Sequence, residues 1–242
     1  MIRVERPATP PAILLAEGAA KTLENCAGFD GKAKSFTFDS DIYGHKTVKD
    51  ALVEMHYGKC CYCESRVRHI APGTIDHFRP KSAVQQSPGD PLLFPGYYWL
   101  AYTWVNLLFL CPDCNQYRKR NLFPLASPQA RARSHHDDLS KEQPLLIDPT
   151  SEDPTQSVGY REEYLFPVAD NIRGRTTIDV LKLNDRKDLV ERRRERLEIL
   201  RALKTLVALQ KGSQEAADAE MVLHNAQLDS AEYAAMVRAA FA

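Results

Sequence analysis

The chain has 242 residues, 44% of them hydrophobic and 26% charged, with 11 glycines and 15 prolines. That composition excludes a collagen-like, low-complexity or wholly disordered protein, and no apolar run approaches the roughly 18 residues of a membrane span. The 32 basic and 32 acidic side chains cancel, so any attraction for an anionic polymer has to come from local patches.

In chain order, residues 1–55 read as a helical lead-in. The opening, Met1-Ile2-Arg3-Val4-Glu5-Arg6-Pro7, has an early acid and no secretory apolar run, so a cytoplasmic protein is expected. Helical spacing runs from Leu14 to Cys26 and again from Thr47 to Tyr57, where Val48, Leu52, Val53 and Met55 are apolar; Gly28, Gly31 and Asp39-Ser40-Asp41 mark loops between them. Residues 56–133 are dense in Cys, His, Trp, Tyr, Pro and Arg, and chemistry is expected there. Residues 134–242 begin loop-rich, with Pro144, Pro149 and Pro154, and continue as helices. A long amphipathic helix is predicted over 184–210, with Leu189, Leu197, Leu200, Leu203 and Val207 on one stripe and Arg192, Arg194 and Arg201 off it. Asn184 is its predicted N-cap and Gly212 its stop. Shorter helices are predicted around Gln214–Asn225 and Ala231–Ala239, and the three stretches are expected to form one unit.

Charge is unevenly spread. Residues 116–133 hold five basic groups and no acid, whereas residues 134–163 hold eight acids against two bases. The basic stretch could steer an anion, and the acidic one could shield a cleft from nucleic acid.

Four of the six cysteines form two Cys-x-x-Cys pairs, Cys60/Cys63 and Cys111/Cys114, with 47 residues between them. Such pairs can bring four thiolates to one tetrahedral zinc. Cys61/Cys63 is the alternative first pair, and Cys26 stands apart. Between the pairs lies Thr74-Ile75-Asp76-His77-Phe78-Arg79-Pro80-Lys81, and Asn106 opens an apolar run that leads into Cys111-Pro112-Asp113-Cys114-Asn115. His77 beside Asp76 offers an imidazole that is mostly neutral near pH 7 and able to take a proton from water. In a regular strand the two would face opposite sides, so their cooperation calls for a turn or bulge. Arg79 and Lys81, and Arg118, Lys119 and Arg120 further on, are expected to contact phosphate.

The order Asp76-His77, Asn106, then Cys-x-x-Cys-Asn115 with a basic helix resembles the HNH endonuclease family over about residues 59–125. The resemblance implies an α+β protein with a zinc-stapled ββα-metal core and mainly helical N- and C-terminal elaborations. It implies that His77 activates water, that Asp76 and Asn115 hold a catalytic divalent ion, and that the Asn106 amide braces the loop carrying the base. Asn115 stands where many relatives have His; its hard oxygen suits Mg²⁺ better than a soft transition metal. Cys60-Cys61-Tyr62-Cys63-Glu64, Tyr98-Trp99-Leu100-Ala101-Tyr102, Asn121-Leu122-Phe123-Pro124-Leu125, Pro144-Leu145-Leu146-Ile147-Asp148-Pro149 and Leu181-x-Leu183-Asn184 are similar to PtuB-type members, over roughly residues 55–195. That narrower resemblance implies the effector nuclease of a Septu or retron anti-phage system, DNA as the favoured substrate and a PtuA-type ATPase as partner, with no membrane involved. The chain has no Gly-x-x-x-x-Gly-Lys-Ser/Thr of its own. An RNA- or tRNA-cutting effector and a non-catalytic zinc-knuckle adaptor are the alternatives.

Other motifs have plainer expectations. Tyr97, Tyr98, Trp99, Tyr102 and Trp104, with Val105, are expected to form a hydrophobic wall, and Glu64 to accept structural hydrogen bonds. His45, His56, His69 and His224 are expected to be surface or core residues, and His135-His136 part of a solvated loop. The Arg-rich helix after Asn184 is a possible docking surface.

Overall fold

The structure is a computed structural model that describes residues 1–69 and 71–241. A π-helical turn, Leu14–Gly18, leads without interruption into α1 (Ala19–Asp30). The helix therefore passes straight through Gly28, which the sequence marks as a loop, because the neighbouring turns supply its hydrogen bonds and the chain stops only at Gly31. Asp39 does not sit in a loop centre either: its carboxylate accepts from Asp41 N and caps the short helix α2 (Ser40–Tyr43). α3 (Lys46–Met55) begins at His45, whose ring accepts from Thr47 N, and buries Val48, Leu52 and Met55 as its periodicity requires.

Two short strands, β1 (Thr74–His77) and β2 (Leu107–Leu110), pair antiparallel with His77 opposite Leu107 and Thr74 opposite Leu110. β2 is buried throughout, and α3 packs against it. A π-helical segment, Asp113–Lys119, follows β2 directly. A second hairpin, β3 (Val158–Arg161) with β4 (Tyr164–Pro167), carries α4 (Ile172–Val180) on β4.

The C-terminal part is helical: α5 (Lys187–Leu209), α6 (Gln214–Asn225) packed on α5, and α7 (Ala234–Phe241) packed on β3. Asn184 is not the cap of α5. Its side chain is used by the hairpin, accepting from Leu165 N and donating to Leu165 O, and Arg186 precedes the helix without a side-chain cap. No helix among the described residues is long and apolar enough to cross a membrane.

One contiguous buried cluster runs from Met1 to Val237. The N-terminal segment is woven into it. Met1, Ile2 and Val4 are buried, and Arg6 donates to Trp104 O, Leu107 O and Thr150 Oγ1. At the other end, the carbonyls of Asp229 and Ala231 accept from the buried ammonium of Lys59, just ahead of Cys60. The expected aromatic wall is present, with Tyr97, Tyr98, Trp99, Tyr102 and Trp104 all buried, but Val105 is 63% exposed and not part of it.

Candidate functional site

The first cysteine pair sits in a tight turn before β1. Cys60 N donates to Ser65 O, Glu64 N donates to Cys60 O, and Glu64 takes up a left-handed φ of 62° to close it. The second pair lies where β2 gives way to the following helical segment, and Cys114 N points at Cys111 Sγ. Pairing β1 with β2 brings the two turns together, so the sulfurs of Cys60, Cys63, Cys111 and Cys114 all lie within 4.8 Å of one another. Four convergent thiols, three of them buried, are a donor set that could hold a metal ion such as zinc. Cys61 is outside the cluster: it is buried, its N–H donates to Phe109 O, and burial pushes its thiol well up.

Arg186 stands beside the cluster, donating to Cys114 Sγ at 3.2 Å and pairing with Asp113. Although burial works against its charge, the Cys114 and Cys63 sulfurs raise its pKa above the ordinary value. A cation there offsets the negative charge of a thiolate set. Glu64 is buried, as an acceptor of Ala235 N and an ion-pair partner of the Met1 amine and of Lys59.

Next to this cluster, a cleft of about 360 Å³ is lined by Asp76, His77, Lys81, Asn115, Gln116 and Arg120, among others. β1 remains extended through Asp76 and His77, and both residues line this cleft at the strand's end. No bulge is needed to bring them there.

His77 is buried, and its Nε2 lies 2.8 Å from Ala101 O. A carbonyl can only accept, so Nε2 carries the proton and Nδ1 keeps a lone pair that has no partner among the described residues. Burial, with Lys81 second, lowers its pKa to about 3, so the ring is neutral at physiological pH. The Tyr43 ring of α2 packs edge-on against it at 4.9 Å and also lies 4.9 Å from the Lys81 ammonium.

Asp76 is buried beside a fully buried Lys119. The ammonium lies 2.9 Å from Oδ2 and 3.3 Å from Oδ1, and donates to His77 O at 2.7 Å. The Oδ2 contact is ionic only; its direction does not meet hydrogen-bond geometry, which leaves that oxygen unsatisfied. Burial pushes the Asp76 carboxyl up against the downward pull of Lys119. Asn115 donates its amide to Thr74 Oγ1 and more distantly to Ile75 O, so that Oδ1 is without a partner among the described residues. Asp76 and Asn115 both line the cleft and carry the hard oxygens a divalent cation prefers, but Asp76 Oδ2 is buried against the Lys119 ammonium, so a cation would have to compete with Lys119 for it.

Asn106 is buried and fully used. It accepts from Arg79 N and donates to Arg79 O and Leu100 O, which pins the chain just past β1. Beyond that point Gly96 N and Tyr97 N hold Ser82 O and Pro80 O. Only glycine fits at 96, since a Cβ there would meet Pro80 O at 2.5 Å and Ala83 N at 2.7 Å. This stapling sets Lys81 on the cleft.

The cations divide differently from the sequence expectation. Lys81 and Arg120 border the cleft and have no ion-pair partner among the described residues. Arg79 does not line it: its guanidinium pairs with the buried Glu142 at 2.8 Å, among the rings of Phe78, Tyr97 and Phe123. Arg118 pairs with Asp113 away from the cleft, and Lys119 is too deep to reach a bound polymer. The acidic stretch 134–163 contributes no residue to the lining of the cleft. Its carboxylates cap turns, as Asp137 and Asp148 do, or pair locally, as Glu152 does with Arg173. Within the Arg-rich α5, Arg193 is buried against Tyr160 and Tyr233, and Arg192, Arg194 and Arg201 are ion-paired within the chain. Lys187, Arg196 and Lys204 of the same helix have no ion-pair partner among the described residues.

Sequence reasoning missed Tyr43, because it lies 34 residues before His77 and belongs to no motif. A larger hollow of about 790 Å³, bordered by Pro7, Leu15, Leu23, Trp104 and Val105, contains none of the predicted site residues.

These features define a mixed α+β protein with a four-cysteine cluster able to hold a metal and a polar cleft beside it. No protein-family model matches the chain. It is 33% identical over 225 residues to the Septu protein PtuB of Bacillus mycoides (strain KBAB4), covering 86% of this chain and 74% of that one. It is 29% identical over 191 residues to the Septu protein PtuB of Bacillus thuringiensis, covering 78% of this chain and 57% of that one. The chain belongs to the Septu PtuB family.

Proposed function

We propose that the chain is a metal-dependent nuclease of the HNH type, the cutting subunit of a Septu anti-phage system that works with a PtuA-type ATPase. The observation that carries this reading is His77: neutral, tethered through Nε2 to Ala101 O, and with an unpartnered Nδ1 on the same cleft as Asp76 and Asn115.

In this reading His77 Nδ1 takes the proton of a water that attacks a phosphodiester phosphorus. The low basicity of the buried ring rises when an anionic phosphate is brought against it, because the negative charge favours imidazolium. Lys81 and Arg120 hold the phosphate at the rim, and Asn106 keeps the loop after β1 in place without touching substrate. Asp76 and Asn115 hold a divalent ion such as Mg²⁺, which when bound supplies charge neutralisation at the scissile phosphate. Lys119 opposes the effect of burial and favours the ionised form of the Asp76 carboxylate. Zinc on Cys60, Cys63, Cys111 and Cys114 fixes β1 relative to the Asp113–Lys119 segment and takes no part in cleavage. The products are 5′-phosphate and 3′-hydroxyl ends, and DNA is the favoured substrate.

The test is incubation of the purified chain, alone and with the PtuA-type ATPase, with duplex DNA, single-stranded DNA and structured RNA in the presence of Mg²⁺. DNA cutting that EDTA stops is the expected result. Cutting of RNA alone would redirect the substrate assignment. Absence of cutting by the complex on every substrate would contradict a nuclease.

A further inference from the structure

A second group of metal-ligating side chains lies outside both the thiol cluster and the cleft. Asp30 is the last residue of α1, and His135 and His136 come from a turn more than a hundred residues later. The carboxylate and the two rings offer ligand atoms within 4.8 Å of one another. The two rings present the same nitrogen to the two oxygens of one carboxylate: His136 Nε2 lies 2.8 Å from Asp30 Oδ1, and His135 Nε2 lies 3.6 Å from Oδ2.

The group is built from behind. Tyr98 Oη is 2.6 Å from His135 Nδ1, which fixes the ring and leaves Nε2 as its forward atom. Tyr98 is itself buried and stacked between Phe29 at 5.2 Å and Phe36 at 4.4 Å, so its hydroxyl has little freedom. The turn that carries the histidines is closed by Asp137, which accepts from Arg133 N, Ser134 N and Ser134 Oγ. A ligating imidazole whose other nitrogen is held by a fixed hydrogen-bond partner is the usual second layer of a metal site. An ordinary solvated loop has no need of it. The front is open, with the side chains of His136 62% and Asp30 52% exposed, which leaves coordination positions for water.

We propose that Asp30, His135 and His136 form a binding site for a divalent transition metal of the zinc class. Two imidazoles and one carboxylate suit Zn²⁺, Co²⁺ or Ni²⁺, and suit Mg²⁺ poorly. The bound ion bolts the end of α1 to the turn after the basic stretch. It does so without reference to the cleft, so the site stands or falls independently of the nuclease reading.

The probe is Zn²⁺ itself, titrated by calorimetry into the full chain already loaded at its four cysteines. The wild type is expected to take up a further equivalent and to melt at a higher temperature when it does. His136→Ala and Asp30→Asn, both at exposed positions, are expected to lose that uptake by tenfold or more in affinity, while Asp76→Asn retains it. No uptake beyond the cysteine-bound equivalent would overturn the proposal, as would unchanged uptake in the two variants. Loss of uptake in Asp76→Asn with retention in His136→Ala would assign the ion to the cleft and equally overturn it.

Discussion

Lys119 has the least surface-like surroundings of any charged residue in the basic stretch. It is wholly buried, with Asp76 as its counter-charge and His77 O as a second acceptor. Removing one partner of a buried pair strands the other charge, at a cost of roughly 3–5 kcal/mol. Lys119→Met is therefore expected to destabilise the chain by about that amount in urea unfolding, and Lys119→Met with Asp76→Asn to recover a large part of it. Equal losses in the single and double variants would show that the pair is not coupled. Arg79 has a similar history: it reads as a phosphate contact in the sequence and is consumed by Glu142 in the fold. Single side chains of the same type, in the same basic run, thus divide among core, local ion pair and cleft according to what the distant chain places opposite them.

At the scale of elements, the two cysteine turns flank the β1–β2 hairpin, one before it and one after. A metal held by all four thiols ties the start of β1 to the segment that bears Asn115 and Lys119. The choice of Cys60 over Cys61 has a direct check. Cys61→Ala is expected to leave the zinc content of the purified chain unchanged, whereas Cys63→Ala loses zinc and melts at a lower temperature. Zinc loss in Cys61→Ala would contradict the cluster seen here. These turns were legible from spacing alone, because Cys-x-x-Cys reports a local geometry. So were α3 and α5, from their apolar periodicity. The N-terminus of α5 was misread because Asn184 satisfies the usual cap preference, while its amide pairs with Leu165, 19 residues earlier, instead.

For the whole molecule, what the sequence could not reveal is mostly what long-range packing creates. Tyr43 over His77, Lys59 under the C-terminal segment, and Asp30 against His135 and His136 join residues that share no motif. Arg193 reads as one more exposed arginine until Tyr160 and Tyr233 enclose it. Core formation also makes stability depend on pH. His56 is buried with Nδ1 on Leu52 O, and burial lowers its pKa to about 4 from an ordinary 6.5. The unfolded chain takes up this proton first as pH falls. Stability is accordingly full above about pH 6.5 and declines toward pH 4. The contribution of His56 alone is a loss of about 2 kcal/mol by pH 5. His56→Gln is expected to flatten the fall of the urea midpoint between about pH 7 and 5; an unchanged slope would assign the acid sensitivity to other groups.

The proposed activity turns on whether His77 is the group that takes the proton. The most direct measurement is the rate of DNA cleavage by His77→Ala beside the wild type, each as the complex with the PtuA-type ATPase and each verified to hold the same zinc. A loss of about a hundredfold or more with zinc content and melting temperature retained is the predicted result. Wild-type cutting by the variant would contradict it.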